Sequence, residues 1–190
     1  VHWFAQNLHK EHPKATAIPL GVDYHTLNPC ITPIPRKQSW GPRETSDVQE
    51  MSLLSQQSDV KKDVIMVNMS INTNATARQP CMNALRNKPF AHNVPLGTSR
   101  AEFWRQMAQW RYVACPEGEG VDTHRLWETI ALGCIAVTTR PPEAMMPLYQ
   151  SLPIIFVDDW NDVTLEYLQK HKPPRSTTTT HLLSTWVNRV

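Results

Sequence analysis

Arg125 and Glu128 are the residues whose types and spacing first suggest chemistry. They are three positions apart, so they share one face if the stretch around them is helical. A guanidinium there could clamp a diphosphate through two hydrogen bonds, and a carboxylate one turn later could accept the two hydroxyls of a ribose. The alternative is an ordinary surface ion pair, which contributes ~0.3–0.5 kcal/mol to stability. Spacing alone does not choose between the two.

The residues before this pair predict a strand that leads into a glycine-rich loop. The run from Tyr112 to Cys115 is short and apolar, as in the buried strands of parallel sheets. Pro116 ends it, because proline has no N–H to donate to a neighbouring strand. Gly118 and Gly120 are expected to let the backbone turn sharply and approach a ligand closely.

The loop is followed by a predicted helix. Asp122 is a suitable N-cap residue, and from three positions away it could also hold the guanidinium of Arg125 in place. Gly133 is expected to end the helix in the left-handed conformation, before a strand from Cys134 to Val137. A loop that enters a helix in this way can bind an anion, since unpaired N–H groups and the helix dipole both point at the ligand.

A second basic residue, Arg78, lies in the first turn of a helix predicted from Thr76 to Asn87, after the apolar strand from Asp63 to Met69. A cation at a helix N-terminus opposes the helix dipole. A ligand anion nearby would explain its position, and a solvated side chain is the alternative.

Predicted strands and helices alternate from residue 63 onward. Further strands are expected at 90–95 and 152–157, and further helices from about residue 98, at 141–149 and at 161–170. Phe103, Met107 and Trp110 would form the buried stripe of the first of these helices, and Asp159 would cap the last. This alternation predicts an α/β fold: a Rossmann-like parallel sheet of about five strands, with helices on both faces and the ligand at the carboxyl ends of the strands. Outside this region we expect an irregular linker at 29–44, a helix at 48–54 and a terminal helix at 181–190.

Composition excludes several classes of protein. A net charge of +2 gives no support for a general nucleic-acid or membrane-surface binder. No apolar run is long enough to span a bilayer, and no signal peptide is recognisable. Four cysteines without a CxxC pair suggest neither a disulfide scaffold nor a zinc site. Asn68 and Asn74 begin glycosylation sequons, and because the chain starts at Val1 we interpret it as a fragment or a processed product.

The segment PEGEGVDTHRLWETIALGCIAV resembles the nucleotide-sugar-binding segment of exostosin-like glycosyltransferases. The shared positions are Pro116, Gly118, Gly120, Asp122, His124, Arg125, Trp127, Glu128, Gly133, Cys134 and Ile135. The chain departs from the family at Ala136, which is usually proline, and at Glu117, which is arginine in many members. The segment IPLGVDYHTL at 18–27 is similar to one that these proteins carry just before the donor domain.

The resemblance implies the donor half of a GT-B architecture. Residues 1–44 would be an interdomain segment and linker from the acceptor half, and residues 45–190 the donor-binding domain. The implied ligand is a nucleoside-diphosphate sugar, bound without a metal ion or cofactor, and the implied reaction is its transfer, mostly with inversion, to a glycan or protein acceptor. The implied binding residues are Arg78, Gly118, Glu119, Gly120, Asp122, His124, Arg125 and Glu128.

This length is too short for two Rossmann-type domains, so we expect the 190 residues to be either a fragment or a divergent minimal protein. The catalytic base would therefore come from an acceptor-binding domain in the same parent chain. The compartment stays open between the Golgi lumen, for a eukaryotic protein, and the cytoplasm. A non-catalytic module that binds a nucleotide sugar or a partner is the alternative function. A generic dinucleotide binder is disfavoured, because PEGEG lacks the third glycine of G-x-G-x-x-G.

Overall fold

The computed structural model describes residues 1–22, 51, 53–55, 61–95 and 100–173. The strands are β1 (Trp3–Ala5), β2 (Ala15–Ala17), β3 (Lys62–Val67), β4 (Ala91–Asn93), β5 (Trp110–Ala114), β6 (Ile135–Thr139) and β7 (Ile154–Val157). The α-helices are α1 (Ala75–Leu85), α2 (Arg100–Gln109), α3 (His124–Ala131), α4 (Met146–Tyr149) and α5 (Leu165–Lys170). Short 3-10 turns at Ile71–Thr73, Glu143–Met145 and Trp160–Asp162 precede α1, α4 and α5.

The main sheet has five strands in the order β4-β3-β5-β6-β7. Every neighbouring pair is parallel, so the predicted parallel sheet of about five strands is confirmed. The chain runs from β3 outward to β4 and then crosses to the other side of β3 to form β5. The direction of winding therefore changes between β3 and β5. In open α/β sheets, ligands bind beyond the carboxyl ends of the strands at such a switch point.

Two hydrophobic cores cover the two faces of the sheet, because successive strand side chains point to opposite faces. Met66, Val113 and Ala136 contribute to one core, with side chains from α2 and α3. The alternating residues, such as Ile65, Tyr112 and Val137, face the other core, with side chains from α1 and α5. Helices on both faces were predicted, and the structure confirms them.

Helix α3, which carries the central motif, has well-defined ends. Gly133 has a φ of 68° and ends the helix as expected. Its N–H and that of Cys134 donate to the carbonyls of Ile130 and Thr129, which is the Schellman arrangement. The predicted N-cap is wrong: Thr123 accepts from the N–H of Leu126 and caps the helix in place of Asp122.

Two other predictions for single residues are corrected. Helix α2 ends at Gln109, so Trp110 begins β5, whereas Phe103 and Met107 are buried as predicted. Asp159 caps the 3-10 turn by accepting from the N–H of Asn161, and Thr164 caps α5. Both predictions fail for the same reason. Each predicted helix extends across a change of backbone direction that the apolar spacing alone does not reveal.

The N-terminal residues form a separate two-stranded parallel sheet, β1-β2. Trp3 and Phe4 on β1 are exposed, while Ala17 at the end of β2 is buried in the core on the α2 and α3 face. The linker at 29–44, the domain boundary at 44/45 and the helix at 181–190 lie outside the described residues. Of the helix expected at 48–54, Met51 and residues 53–55 are helical. Within the described ranges, no helix combines the length and the hydropathy needed to span a bilayer.

Candidate functional site

The candidate site lies at the switch point, beyond the carboxyl ends of β3 and β5. The segment after β3 supplies Asn68, Ser70 and, through α1, Arg78. The segment after β5 supplies the loop 116–123 and, through α3, Arg125 and Glu128. The sheet order thus joins two segments that are about forty residues apart in sequence.

Arg125 lies in the region between these two segments, called the crevice below, with one-fifth of its side chain exposed. One terminal nitrogen, Nη1, donates a 3.0 Å hydrogen bond to the carbonyl of Asn68. The guanidinium lies over the ring of Phe103, 4.3 Å from its centroid. Its Nε is 3.8 Å from Oε2 of Glu128 and is buried without a hydrogen-bond partner. The pair predicted from spacing therefore forms, but at the edge of the core rather than on the surface.

Arg78 is half-buried and faces the same crevice from α1. Its Nε donates to the carbonyl of Glu117 at 2.9 Å, and its Nη1 donates to the carbonyl of Ser70 at 2.9 Å. The alternative of a solvated Arg78 is therefore wrong. Within the described ranges, no carboxylate lies within ion-pair distance of its guanidinium.

Among the described residues, Arg78 and Arg125 bring two positive charges close together in the crevice. Burial, and then the nearby charge of Arg125, lower the pKa of Arg78 from its ordinary value. Burial also lowers the pKa of Arg125, and Glu128 acts in the opposite direction. Two guanidinium groups thus lie close together in a place with little solvent, and the carboxylate of Glu128 lies beside Arg125. An anion placed there would offset the repulsion between them.

The glycine-rich loop is packed against side chains from other segments. Neither Gly118 nor Gly120 has a positive φ, so the expected sharp turn is not what requires glycine. A Cβ atom at Gly118 would lie 3.1 Å from Nη2 of Arg78, and one at Gly120 would lie 2.6 Å from the side-chain amide of Asn7. The two glycines allow close approach, as predicted, but the atoms approached belong to this chain.

Asp122 is buried and binds three groups of the protein. Its Oδ1 accepts from Nε1 of Trp127 at 2.8 Å and from the hydroxyl of Tyr149 at 3.0 Å. Its Oδ2 accepts from the N–H of Leu20 at 2.6 Å. The prediction that Asp122 holds the guanidinium of Arg125 is wrong, because its carboxylate bonds to these donors and the ion pair of Arg125 is with Glu128.

The other predicted residues are divided between the crevice and the N-terminal segment. His124 is directed at that segment: its Nδ1 is 2.8 Å from the carbonyl of Gly21. Glu119 is exposed at the tip of the loop. Glu117, where the chain departs from the exostosin-like pattern, lies near Thr139, whose hydroxyl donates to its Oε1 at 3.4 Å.

No protein-family model matches this chain, and no curated protein matches it either. The geometry of the crevice therefore has to support any functional proposal.

Three asparagines that build the site were not predicted as site residues. Asn68 donates to the carbonyls of Val94 and Pro95. Asn74 caps α1 and donates a 2.8 Å hydrogen bond to the carbonyl of Gly118. Asn7 accepts from the N–H of Asp122. The positions of Asn68 near the end of the predicted strand, and of Asn74 just before the predicted helix, are a usable signal, whereas nothing local marks Asn7.

The two sequons are engaged in the fold, because the amide nitrogens of Asn68 and Asn74 are hydrogen-bond donors within the site. Among the described residues, no group of three or more histidine, cysteine, aspartate or glutamate side chains could hold a metal ion. The described cysteines Cys81, Cys115 and Cys134 are free and buried. Burial raises the pKa of the Cys115 thiol to about 12, which removes it as a nucleophile at neutral pH.

Proposed function

We propose that this chain is the donor-binding domain of a glycosyltransferase, and that the diphosphate of a nucleoside-diphosphate sugar binds between Arg78 and Arg125. The observation that carries the proposal is the closeness of two partly buried guanidinium groups at the switch point, of which Arg125 alone has a described carboxylate, Glu128, within ion-pair distance. The exostosin-like pattern of the loop and of α3 supports the same ligand class.

In this proposal each arginine is pre-oriented by the backbone. Arg125 is held by the carbonyl of Asn68 and by the ring of Phe103, and Arg78 by the carbonyls of Glu117 and Ser70. The groups that neutralise the leaving diphosphate are therefore in place before the ligand arrives, which lowers the reorganisation needed during the transfer. No bound metal ion is required for that step.

The transfer itself needs a base that activates the acceptor hydroxyl. Asp122 accepts hydrogen bonds from three groups of the protein, and the side chain of Glu128 is 5% exposed. We therefore place the base on an acceptor-binding domain of the same parent chain, which would also bind the glycan or protein acceptor. A non-catalytic nucleotide-sugar-binding module is the second candidate, favoured by the engagement of Asp122 and Glu128 in contacts within the protein.

The test is a titration of UDP, GDP and the corresponding nucleosides into the wild type, Arg125→Lys and Arg125→Ala by calorimetry. Lysine keeps the charge but not the planar fork, so Arg125→Lys should weaken diphosphate binding clearly and leave nucleoside binding nearly unchanged. Arg125→Ala should weaken diphosphate binding further. Arg105→Ala, which removes an exposed arginine on α2, is the matched control. Unchanged diphosphate affinity in Arg125→Ala would reject the proposal.

Repeating the titration with EDTA and with added magnesium or manganese tests the expected metal independence. A fall of more than about tenfold in affinity on chelation, about 1.4 kcal/mol, would show that the site needs a metal ion.

A further inference from the structure

Asn7 has an unusual conformation and an unusual set of contacts. It lies two residues after β1 and has a φ of 53°, in the left-handed region that asparagine tolerates better than most residues. Its Oδ1 accepts a 2.8 Å hydrogen bond from the backbone N–H of Asp122, 115 residues later.

This hydrogen bond fixes the point at which the glycine-rich loop enters α3. Asp122 directly precedes Thr123, the N-cap, and Arg125 lies in the first turn that follows. A displacement of the backbone at 122 would therefore move the start of the helix, and with it the guanidinium that faces the crevice.

The same side chain also interlocks with Gly120. A Cβ atom there would lie 2.6 Å from both Oδ1 and Nδ2 of Asn7. Because the φ of Gly120 is not positive, its backbone conformation does not require glycine. Glycine is required at position 120 because the Asn7 side chain occupies the space that a Cβ atom would take.

A continuous set of contacts leads from Asn7 to the second arginine. The carbonyl of Gly120 accepts from the N–H of Gly118. Glu117 directly precedes Gly118, and its carbonyl accepts from Nε of Arg78. The loop conformation that Asn7 holds is therefore the one that orients Arg78.

We infer that Asn7 is a positioning residue of the diphosphate site, acting through the loop 117–122 on Arg78 and Arg125. The inference rests on the proposed function, because its measure is diphosphate affinity. The N-terminal segment would thereby affect ligand binding without contacting the ligand.

The experiment compares UDP, GDP and their nucleosides by calorimetry in the wild type, Asn7→Ala, Asn7→Gly, Gly120→Ala and the double variant Asn7→Gly/Gly120→Ala. Asn7→Gly accepts the left-handed backbone, so it removes only the side chain and keeps the test valid if Asn7→Ala does not fold. Asn161→Ala, at an exposed asparagine of the turn before α5, is the control.

Each Asn7 variant should weaken diphosphate binding about fivefold, as expected for one lost hydrogen bond. Gly120→Ala should weaken it to a similar extent, because its methyl group displaces the Asn7 side chain. Nucleoside binding should stay unchanged in all three. The losses should not multiply in the double variant, because removing the Asn7 side chain makes room for the methyl group at position 120. If the two residues affected affinity independently, the losses of the two single variants would multiply in the double variant.

Diphosphate affinities within twofold of the wild type in both Asn7 variants would overturn the inference while leaving the proposed function intact. Equal losses for nucleoside and diphosphate would also overturn it, since they would reflect a general loss of folding. If the wild type itself binds no nucleoside diphosphate, the proposed function fails, and the inference fails with it.

Discussion

Nε of Arg78 donates a 2.9 Å hydrogen bond to the carbonyl of Glu117, 39 residues further along the chain. This contact joins the segment after β3 to the segment after β5 and brings the guanidinium against Gly118, the next residue of the loop. Nη2 of Arg78 is 3.1 Å from the position that a Cβ atom at 118 would take. The absence of a side chain at 118 therefore decides where the guanidinium can lie.

Gly118→Ala is predicted to displace Arg78 by a few tenths of an ångström and to weaken diphosphate binding roughly two- to fivefold. The loss should be smaller than in Arg78→Ala, which removes the charge-assisted hydrogen bonds altogether. Calorimetry measures both affinities. Arg105→Ala, an exposed change on α2 outside the loop, is the control and should bind like the wild type. A greater loss in Gly118→Ala than in Arg78→Ala would contradict this explanation of the glycine.

Glu128→Gln is predicted to weaken binding of a ribonucleotide by ~1–3 kcal/mol if the carboxylate holds the ribose hydroxyls, because a charged hydrogen bond is lost. The 2′-deoxy ligand should then show little further loss in the variant. Titration of both ligands into both proteins measures this. If removal of the 2′-hydroxyl lowers the affinity by the same factor in the wild type and in Glu128→Gln, Glu128 does not contact the ribose and acts on the site through Arg125.

The buried carboxyl group of Asp122 predicts a pH dependence of stability. Burial raises its pKa above the ordinary value of 3.8, although donors from Leu20, Trp127 and Tyr149 act in the opposite direction. The folded protein therefore takes up this proton at a higher pH than the unfolded chain. The contribution of the group to the free energy of unfolding rises as pH falls through the raised pKa and levels off below 3.8.

Urea denaturation of the wild type and of Asp122→Asn, at several pH values between neutrality and pH ~4, measures this contribution. The asparagine keeps the shape but does not titrate. The difference in free energy of unfolding between the two proteins should shift in favour of the wild type as pH falls. A difference that stays constant or shifts the other way would show that the folded-state pKa is not raised.

Lys61 predicts an effect on stability without an effect on binding. Its Nζ donates to the carbonyls of Ala108 at 2.6 Å and Leu132 at 3.0 Å, near the C-terminal ends of α2 and α3, and it is 8% exposed. Because it directly precedes β3, it lies at the end of the sheet opposite the candidate site. Lys61→Met would leave two buried acceptors unpaired and should lower the free energy of unfolding by about 2–3 kcal/mol.

Lys62→Met, at the exposed neighbouring position, is the control and should change stability by less than about 1 kcal/mol. Urea denaturation measures the stabilities, and calorimetry with UDP or GDP measures the binding. An unchanged stability of Lys61→Met would show that water replaces the ammonium group at no cost.

The sequence by itself determined the alternation of strands and helices and the end of α3. Apolar runs such as 112–115 have one stable environment, the interior of a parallel sheet, and Gly133 adopts the left-handed conformation at low cost. Charge spacing also identified Arg125 and Glu128 as neighbours, because i and i+3 positions meet on a helix whatever surrounds it. These features depend on residues that are close together in sequence, so they can be recognised from the segment alone.

Only the tertiary structure decided what the polar side chains of the motif contact. Asp122 had the residue type of an N-cap, but the N–H of Leu20 and the side chains of Trp127 and Tyr149 compete for its carboxylate and bury it, which leaves the cap to Thr123. Asn7 lies more than a hundred residues from the loop that it contacts, and no local pattern encodes that distance. The closeness of Arg78 and Arg125 has the same origin: the sheet order places β3 beside β5, and this pairing depends on the whole domain rather than on either segment.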